Sequence, residues 1–172
     1  MRTATIELHK EELGFSAGHF TIFSATDREH LHGHNYQVQV GFYILIAHNG
    51  MAFDYRFYNT KIQALCEKLD RRFLLAGQSP YLRIEETQDG IIAHFNTEKI
   101  PFLKRDVVIL PIVNATIEEL SHWFLQQLLR NIKEITRHSI QGITVRVANG
   151  PGQSGVAEWK ALPTGVEPVL PP

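Results

Sequence analysis

The sequence predicts an α+β fold: an antiparallel four-stranded sheet with two helices on one face and an inserted β segment. Two periodicities predict it. Apolar residues alternate with polar or small ones over long stretches, as in strands with one buried side, while two other stretches repeat apolar residues every three to four positions, as in half-buried helices. The order then fixes the arrangement. Strand, strand, helix, β insertion, helix, strand, strand, each with one apolar face, bury those faces most economically as a sheet with helices on one side.

Residues 4–8 and then 13–20 read as a strand running into His19, followed by a polar connector over 21–31. Tyr36, Val38, Val40, Phe42, Ile44 and Ile46 alternate with Gln37, Gln39, Gly41, Tyr43, Leu45 and Ala47, a long strand with one strongly buried face. His48-Asn49-Gly50 turns the chain. Asp54 is the expected N-cap of the first helix, because its carboxylate can accept the unpaired N–H groups of the first turn. Ile62, Leu65, Cys66, Leu69 and Phe73 supply that helix's apolar stripe. On that stripe Cys66 reads as a packed thiol rather than a nucleophile, since reactive thiolates need exposure and nearby positive charge.

From 77 to 111 the pattern is broken by Ser79-Pro80, Asp89-Gly90 and Pro101; 81–86 and 91–95 predict a hairpin, and 106–110 a further strand. Thr116-Ile117-Glu118-Glu119 reads as a capping box opening a helix that buries Ile117, Leu120, Phe124, Leu128 and Ile132. Ile143, Val145 and Val147 mark the third main strand, and 156–162 the fourth. The proline-rich residues 163–172 cannot extend a sheet interior and read as a tail, leaving 1–162 as one domain.

Composition narrows the function. With 172 residues, 44% hydrophobic, the chain can bury one core of ordinary size. A net charge of −1 supplies no polycation for a nucleic acid backbone and no basic block for an anionic membrane, so a small-molecule partner fits better. One cysteine excludes an internal disulfide framework, and the polar start and lack of a long apolar run point to a soluble cytoplasmic protein.

The residues richest in chemistry lie between Gly14 and Val40. His32 and His34, separated by Gly33, project to the same side of an extended chain, and His19 can close a triangle from a neighbouring strand. Three neutral imidazoles suit a borderline cation such as Zn2+ and leave a fourth position for water or substrate, the catalytic arrangement. Nine histidines in the chain also make one such pair unremarkable, so spacing alone leaves a metal centre and ordinary histidines both open.

FSAGHF, a loop, then LHGHNY and an alternating strand resemble the 6-pyruvoyl-tetrahydropterin synthase and 6-carboxytetrahydropterin synthase family. GMAFDY at 50–55, LDRRFLL at 69–75 and NATIEEL at 114–120 extend the resemblance along most of residues 5–160. It implies the tunnelling fold, in which sheets of several subunits join into a barrel as trimers or hexamers with sites at subunit interfaces. Membership implies that His19, His32 and His34 hold catalytic zinc and that the substrate is a pterin, 7,8-dihydroneopterin triphosphate, with zinc gathering its side-chain hydroxyls.

Three departures qualify the match. Where most members carry a base cysteine this chain has Arg28, but Glu29 gives Glu-x-x-His-Gly-His and resembles the subgroup in which a glutamate replaces the cysteine and the product is 6-hydroxymethyl-7,8-dihydropterin, instead of the 6-carboxy- or 6-pyruvoyl-tetrahydropterin. Partial burial raising its pKa toward neutrality would suit Glu29 to general-base work; the alternative is one charge in a solvated run. The Asp-His pair that assists the catalytic base in most members maps onto Asp70-Arg71, which makes both catalytic candidates, although a guanidinium cannot be a base. Arg71 can hold a phosphate or carboxylate, or simply cap a helix end. The family's pterin-anchoring glutamate maps onto Asn149, whose amide cannot accept from two adjacent ring donors; either recognition is weaker, another acceptor such as Glu118 or Glu158 helps, the ring differs, or Asn149 is a turn residue. These departures leave altered heterocycle specificity, or a binding protein that keeps the metal without catalysis, as alternatives.

Overall fold

The structure, a computed structural model, describes residues 2–161. The expected tail at 163–172 lies outside them. β3 (His32–Ile46) is the spine, buried on the side of Tyr36, Val38, Val40, Phe42 and Ile44. β2 (Gly14–His19) pairs antiparallel with its first half and β1 (Arg2–Leu8) with its second. Between them the Leu13 carbonyl accepts the Val38 N–H at 2.8 Å. The two strands thus form one interrupted edge leading to His19. On the other side of β3 lie β9 (Ile140–Ala148) and then β10 (Ser154–Lys160), both antiparallel.

This much is the expected four-stranded core. The sheet is larger and not wholly antiparallel, because β4 (Arg72–Ala76) pairs parallel with β2, and β8 (Val107–Leu110) parallel with β4. β4 was expected to be the end of the first helix, with Phe73 on its stripe. Instead α1 (Arg56–Leu69) stops where Arg71 takes a left-handed φ of 57° and donates its N–H to the Ser16 carbonyl at 2.7 Å. Leu74, Leu75 and Ala76 are consecutive and all buried, as expected of a strand covered on both faces.

Parallel neighbours need a crossover connection rather than a tight turn. Here it is the inserted segment, folded as a separate antiparallel sheet of β5 (Leu82–Glu86), β6 (Ile91–Phe95) and β7 (Glu98–Phe102). The hairpin at Asp89-Gly90 is as expected; β7 was missed because Pro101 interrupts it, and it pairs only with β6, the edge position a proline tolerates. Phe20, Ile22, Leu75, Leu82, Ile91, Ala93, Phe95 and Val107 form a second core beneath it.

α1, α2 (Ile117–Leu129) and the short α3 (Ile132–Arg137) cover the buried face of the main sheet; Ile62, Leu65 and Leu69, then Leu120, Phe124 and Leu128, then Ile135 enter one core with β3. Ile132 was expected inside the second helix but lies in α3, and is exposed. Two caps differ from expectation. Tyr55 occupies the α1 N-cap, with Asp54 one residue earlier accepting the Arg56 N–H at 3.0 Å. At α2 Thr116 accepts from the Glu119 N–H at 3.4 Å, but the Glu119 carboxylate turns to the Val113 N–H at 3.0 Å, so only half the capping box forms.

Candidate metal centre and active site

The β2–β3 register places His19 directly opposite His32, and Ala17 opposite His34. All three imidazoles therefore leave one end of the ladder on the same face. Their ligand atoms lie within 4.8 Å of one another, with His32 Nε2 and His34 Nε2 3.0 Å apart. The spacing argument is met.

Hydrogen bonds fix which nitrogens face inward. His19 is 4% exposed; its Nδ1–H donates to the Ala115 carbonyl at 2.6 Å, while its Nε2 is buried without a partner. His32 likewise donates from Nδ1 to the His30 carbonyl at 2.8 Å, turning a bare Nε2 toward the others. Burial holds His19 below its ordinary pKa against the opposing Ala115 hydrogen bond, and His32 and His34 push the same way. Burial and then His32 also lower His34. An unpaired buried acceptor costs about 1 to 3 kcal/mol, a cost that a cation at His19 Nε2 removes. Three imidazoles facing one point, two of them oriented from behind by backbone carbonyls, are a donor set that suits zinc as a resident ion.

Glu29 stands beside this trio, its Oε2 3.9 Å from His32 Nε2 and accepting the Thr21 N–H at 2.9 Å. Burial acts to raise its pKa, but the Thr21 side-chain and backbone hydrogen bonds, with His32 and His19, outweigh it and hold the carboxyl below its ordinary value. The expected rise toward neutrality is absent. Glu29 is an ionised acceptor, ready to take a proton only from a donor made acidic by its surroundings.

The other singled-out residues lie farther out. Asp70 Oδ1 accepts the Ser16 N–H at 2.8 Å, anchoring α1 to β2, and Arg71 extends into solvent with Nε 3.5 Å from Asp70 Oδ2. Arg71 lines a groove of about 500 Å³ with Ser16, His34, Asn35 and Arg72. Asn149 closes the β9–β10 turn, its Oδ1 accepting from Gln153 Nε2 at 2.9 Å. Glu118 is exposed in the first turn of α2, and Glu158 is exposed on β10.

Three contributors escaped the sequence reading. The Ala115 carbonyl orients His19 and is invisible as a residue type. Asn114 fixes that carbonyl's loop by exchanging hydrogen bonds with the backbone of Ile22, at 3.0 and 2.8 Å. An asparagine just before a helix N-cap was the available signal. Tyr36, stacked on Phe15 with ring centroids 4.8 Å apart, lies against His34 and His19 and keeps its buried hydroxyl without a partner.

Known proteins resemble this chain in sequence and fold. A candidate 6-carboxy-5,6,7,8-tetrahydropterin synthase of Methanocaldococcus jannaschii is 25% identical over 142 residues, covering 82% of this chain and 86% of its own. One of Pyrococcus horikoshii is 25% identical over 152 residues, 88% and 89% of the two chains. The crystal structure of 6-pyruvoyl tetrahydropterin synthase from Plasmodium vivax superposes with a TM-score of 0.88 at 27% identity, covering 94% of this chain and 100% of that one. Further structures of the Plasmodium vivax enzyme carry alanine or cysteine in place of a glutamate named as its catalytic residue. The family model for 6-pyruvoyl tetrahydropterin synthase matches residues 7–158, from the first strand to the last, and the chain belongs to that family.

Proposed function

We propose that this protein is a zinc-dependent lyase acting on 7,8-dihydroneopterin triphosphate, with Glu29 as general base and 6-hydroxymethyl-7,8-dihydropterin as product. The observation that carries the reading is the convergence of His19, His32 and His34 with an ionised Glu29 3.9 Å from His32. The glutamate named as catalytic in the Plasmodium vivax relative supports it. Zinc, when bound, supplies a Lewis acid that makes a substrate hydroxyl acidic enough for a carboxylate to deprotonate. The chain's own groups do the rest. Thr21 holds Glu29 Oε2, leaving Oε1 to accept the proton of a side-chain hydroxyl, and the hydrogen bonds from Ala115 and His30 keep the imidazoles in register.

Residues 1–162 serve as the catalytic unit in this reading. Asp70 holds β2 in place, and Arg71 offers a two-pronged contact to the substrate's phosphates from the groove that His34 also lines. Asn149 and Glu118, with Glu158, are the candidates for holding the ring.

One observation favours a second reading within the family. The Asn149 oxygen is already engaged by Gln153, so the position offers no pair of acceptors for adjacent ring N–H donors. An altered heterocycle is the consequence to test.

The deciding experiment incubates the zinc-loaded protein with dihydroneopterin triphosphate and identifies products by mass, alongside related heterocycles. The expected outcome is 6-hydroxymethyl-7,8-dihydropterin; a different product or preferred ring replaces the specific reading. Glu29→Gln should lower turnover by about 100-fold or more while keeping its zinc, and His32→Ala should lose zinc by metal analysis. Turnover persisting in Glu29→Gln would remove Glu29 as the base.

A further inference from the structure

Arg28 occupies the position before Glu29 and turns away from the histidines toward the inserted sheet. Its side chain is 14% exposed and fully engaged. Nη1 donates to the Glu29 carbonyl at 2.7 Å, Nε donates to Glu98 Oε2 at 2.8 Å, and Nη2 reaches the same oxygen. The guanidinium lies over the rings of Phe20 and Phe95, at 5.2 and 5.8 Å from their centroids. Phe20 follows His19, whereas Phe95 and Glu98 belong to β6 and β7.

We propose that Arg28 and Glu98 form a strap through which the inserted β5–β7 sheet sets the position of Glu29, making both positioning residues for the reaction. The inference rests on the reading of Glu29 as the base.

The loop's other attachments explain why the strap matters. Between Thr21 and Glu29 the chain closes on itself by the Glu29 N–H to Thr21 carbonyl bond at 2.9 Å, the return bond from Thr21 N–H to Glu29 Oε2, and a bridge between Ile22 and Arg28. Asn114 anchors the Ile22 side to the α2 approach. The Glu29 side is tied outward through Arg28. Losing Glu98 leaves a nearly buried cation unpaired against two rings, which drives Arg28 toward water and releases the Glu29 carbonyl. Lysine cannot replace the fork, because a single ammonium on a flexible stem does not hold both Glu98 and the Glu29 carbonyl in a fixed plane. In this arrangement the crossover between β4 and β8 does more than connect them: it is the platform for the catalytic loop.

The test compares Glu98→Ala, Glu98→Gln and Arg28→Lys with Glu85→Ala. Glu85 pairs with His94 and Arg83 elsewhere on the inserted sheet, so its variant controls for general loosening. Zinc content, melting temperature, amide exchange at Glu29, kcat and KM are measured for each. In Glu98→Ala and Arg28→Lys the Glu29 amide should exchange about tenfold faster, and kcat fall roughly ten- to a hundredfold with KM and zinc content little changed, as expected for a misplaced base. Glu98→Gln, which keeps an acceptor oxygen, should recover part of both, and Glu85→Ala should match the wild type. Wild-type exchange and kcat in Glu98→Ala overturn the strap; faster exchange with unchanged kcat overturns its positioning role. Equal losses in Glu85→Ala that track melting temperature overturn it as well. If the wild-type protein does not turn over the substrate, the reading of Glu29 fails while the exchange data still decide the strap.

Discussion

At the residue scale, the candidate metal centre depends on what lies behind two of its imidazoles as much as on the imidazoles. His19 and His32 show bare nitrogens to a common point only because the carbonyls of Ala115 and His30 take their other protons. The convergence of His19, His32 and His34 could be read from the i, i+2 pair and the nearby strand, with the family resemblance to choose between a metal site and ordinary histidines; those carbonyls could not, since backbone groups carry no sequence signature. The same limit applied to Glu29, whose proximity to the trio was legible but whose low pKa depends on the Thr21 N–H. Cys66 illustrates the opposite case, a role settled by periodicity alone. Burial pushes its thiol up to about 12 from 9.0, and raises the Tyr58 phenol to about 12 from 10.0. These acids keep their protons in the fold while the unfolded chain gives them up. Their contribution is complete below pH 9 and is lost as pH rises through 9 toward 12. Urea midpoints should accordingly decline across that range, and Cys66 should resist alkylation at pH 8 until the protein unfolds; rapid labelling of the folded protein would contradict its burial.

At the scale of elements, close backbone approaches decide how the strands meet the helices. A Cβ on Gly155 of β10 would lie 2.4 Å from the Ile117 carbonyl oxygen and 2.7 Å from the Glu118 nitrogen, both backbone atoms of α2. Neither can yield without moving the helix. Gly155→Ala should therefore destabilise by about 1 to 3 kcal/mol, read as a lower denaturant midpoint at unchanged slope. A neutral result would mean that α2 shifts at little cost, and the Ala115 carbonyl with it. Alternation made β3 and β9 legible because each buries one face. The run Phe73-Leu74-Leu75-Ala76 resisted, since a short apolar stretch buried on both sides has no period and lies directly after a helix whose spacing Phe73 happens to continue. Pro101 hid β7 for a different reason, breaking a strand pattern that an edge position can accept.

At the scale of the whole molecule, the main sheet ends at β10 on one side and at β1 and β8 on the other. Open edges of this kind favour pairing between copies. We propose a homo-oligomer, a trimer or hexamer, in sedimentation equilibrium, and a strictly monomeric protein at micromolar concentration would remove the multi-subunit barrel that the family resemblance implies. No helix among the described residues is long and apolar enough to cross a membrane. The seven-stranded sheet also joins two kinds of pairing. β1, β2, β3, β9 and β10 meet as antiparallel partners, whereas β4 and β8 meet across residues 77–106. That distance sets an order of assembly. The two hairpins of β5, β6 and β7 need only short-range encounters, and once formed they shorten the span that must close before β8 can reach β4. In refolding with pulsed amide labelling, β5–β7 should gain protection ahead of β8; simultaneous protection would mean that the crossover has no head start. Should β5–β7 lead, the segment that interrupts the main sheet in sequence would be among the first parts of each chain to take shape.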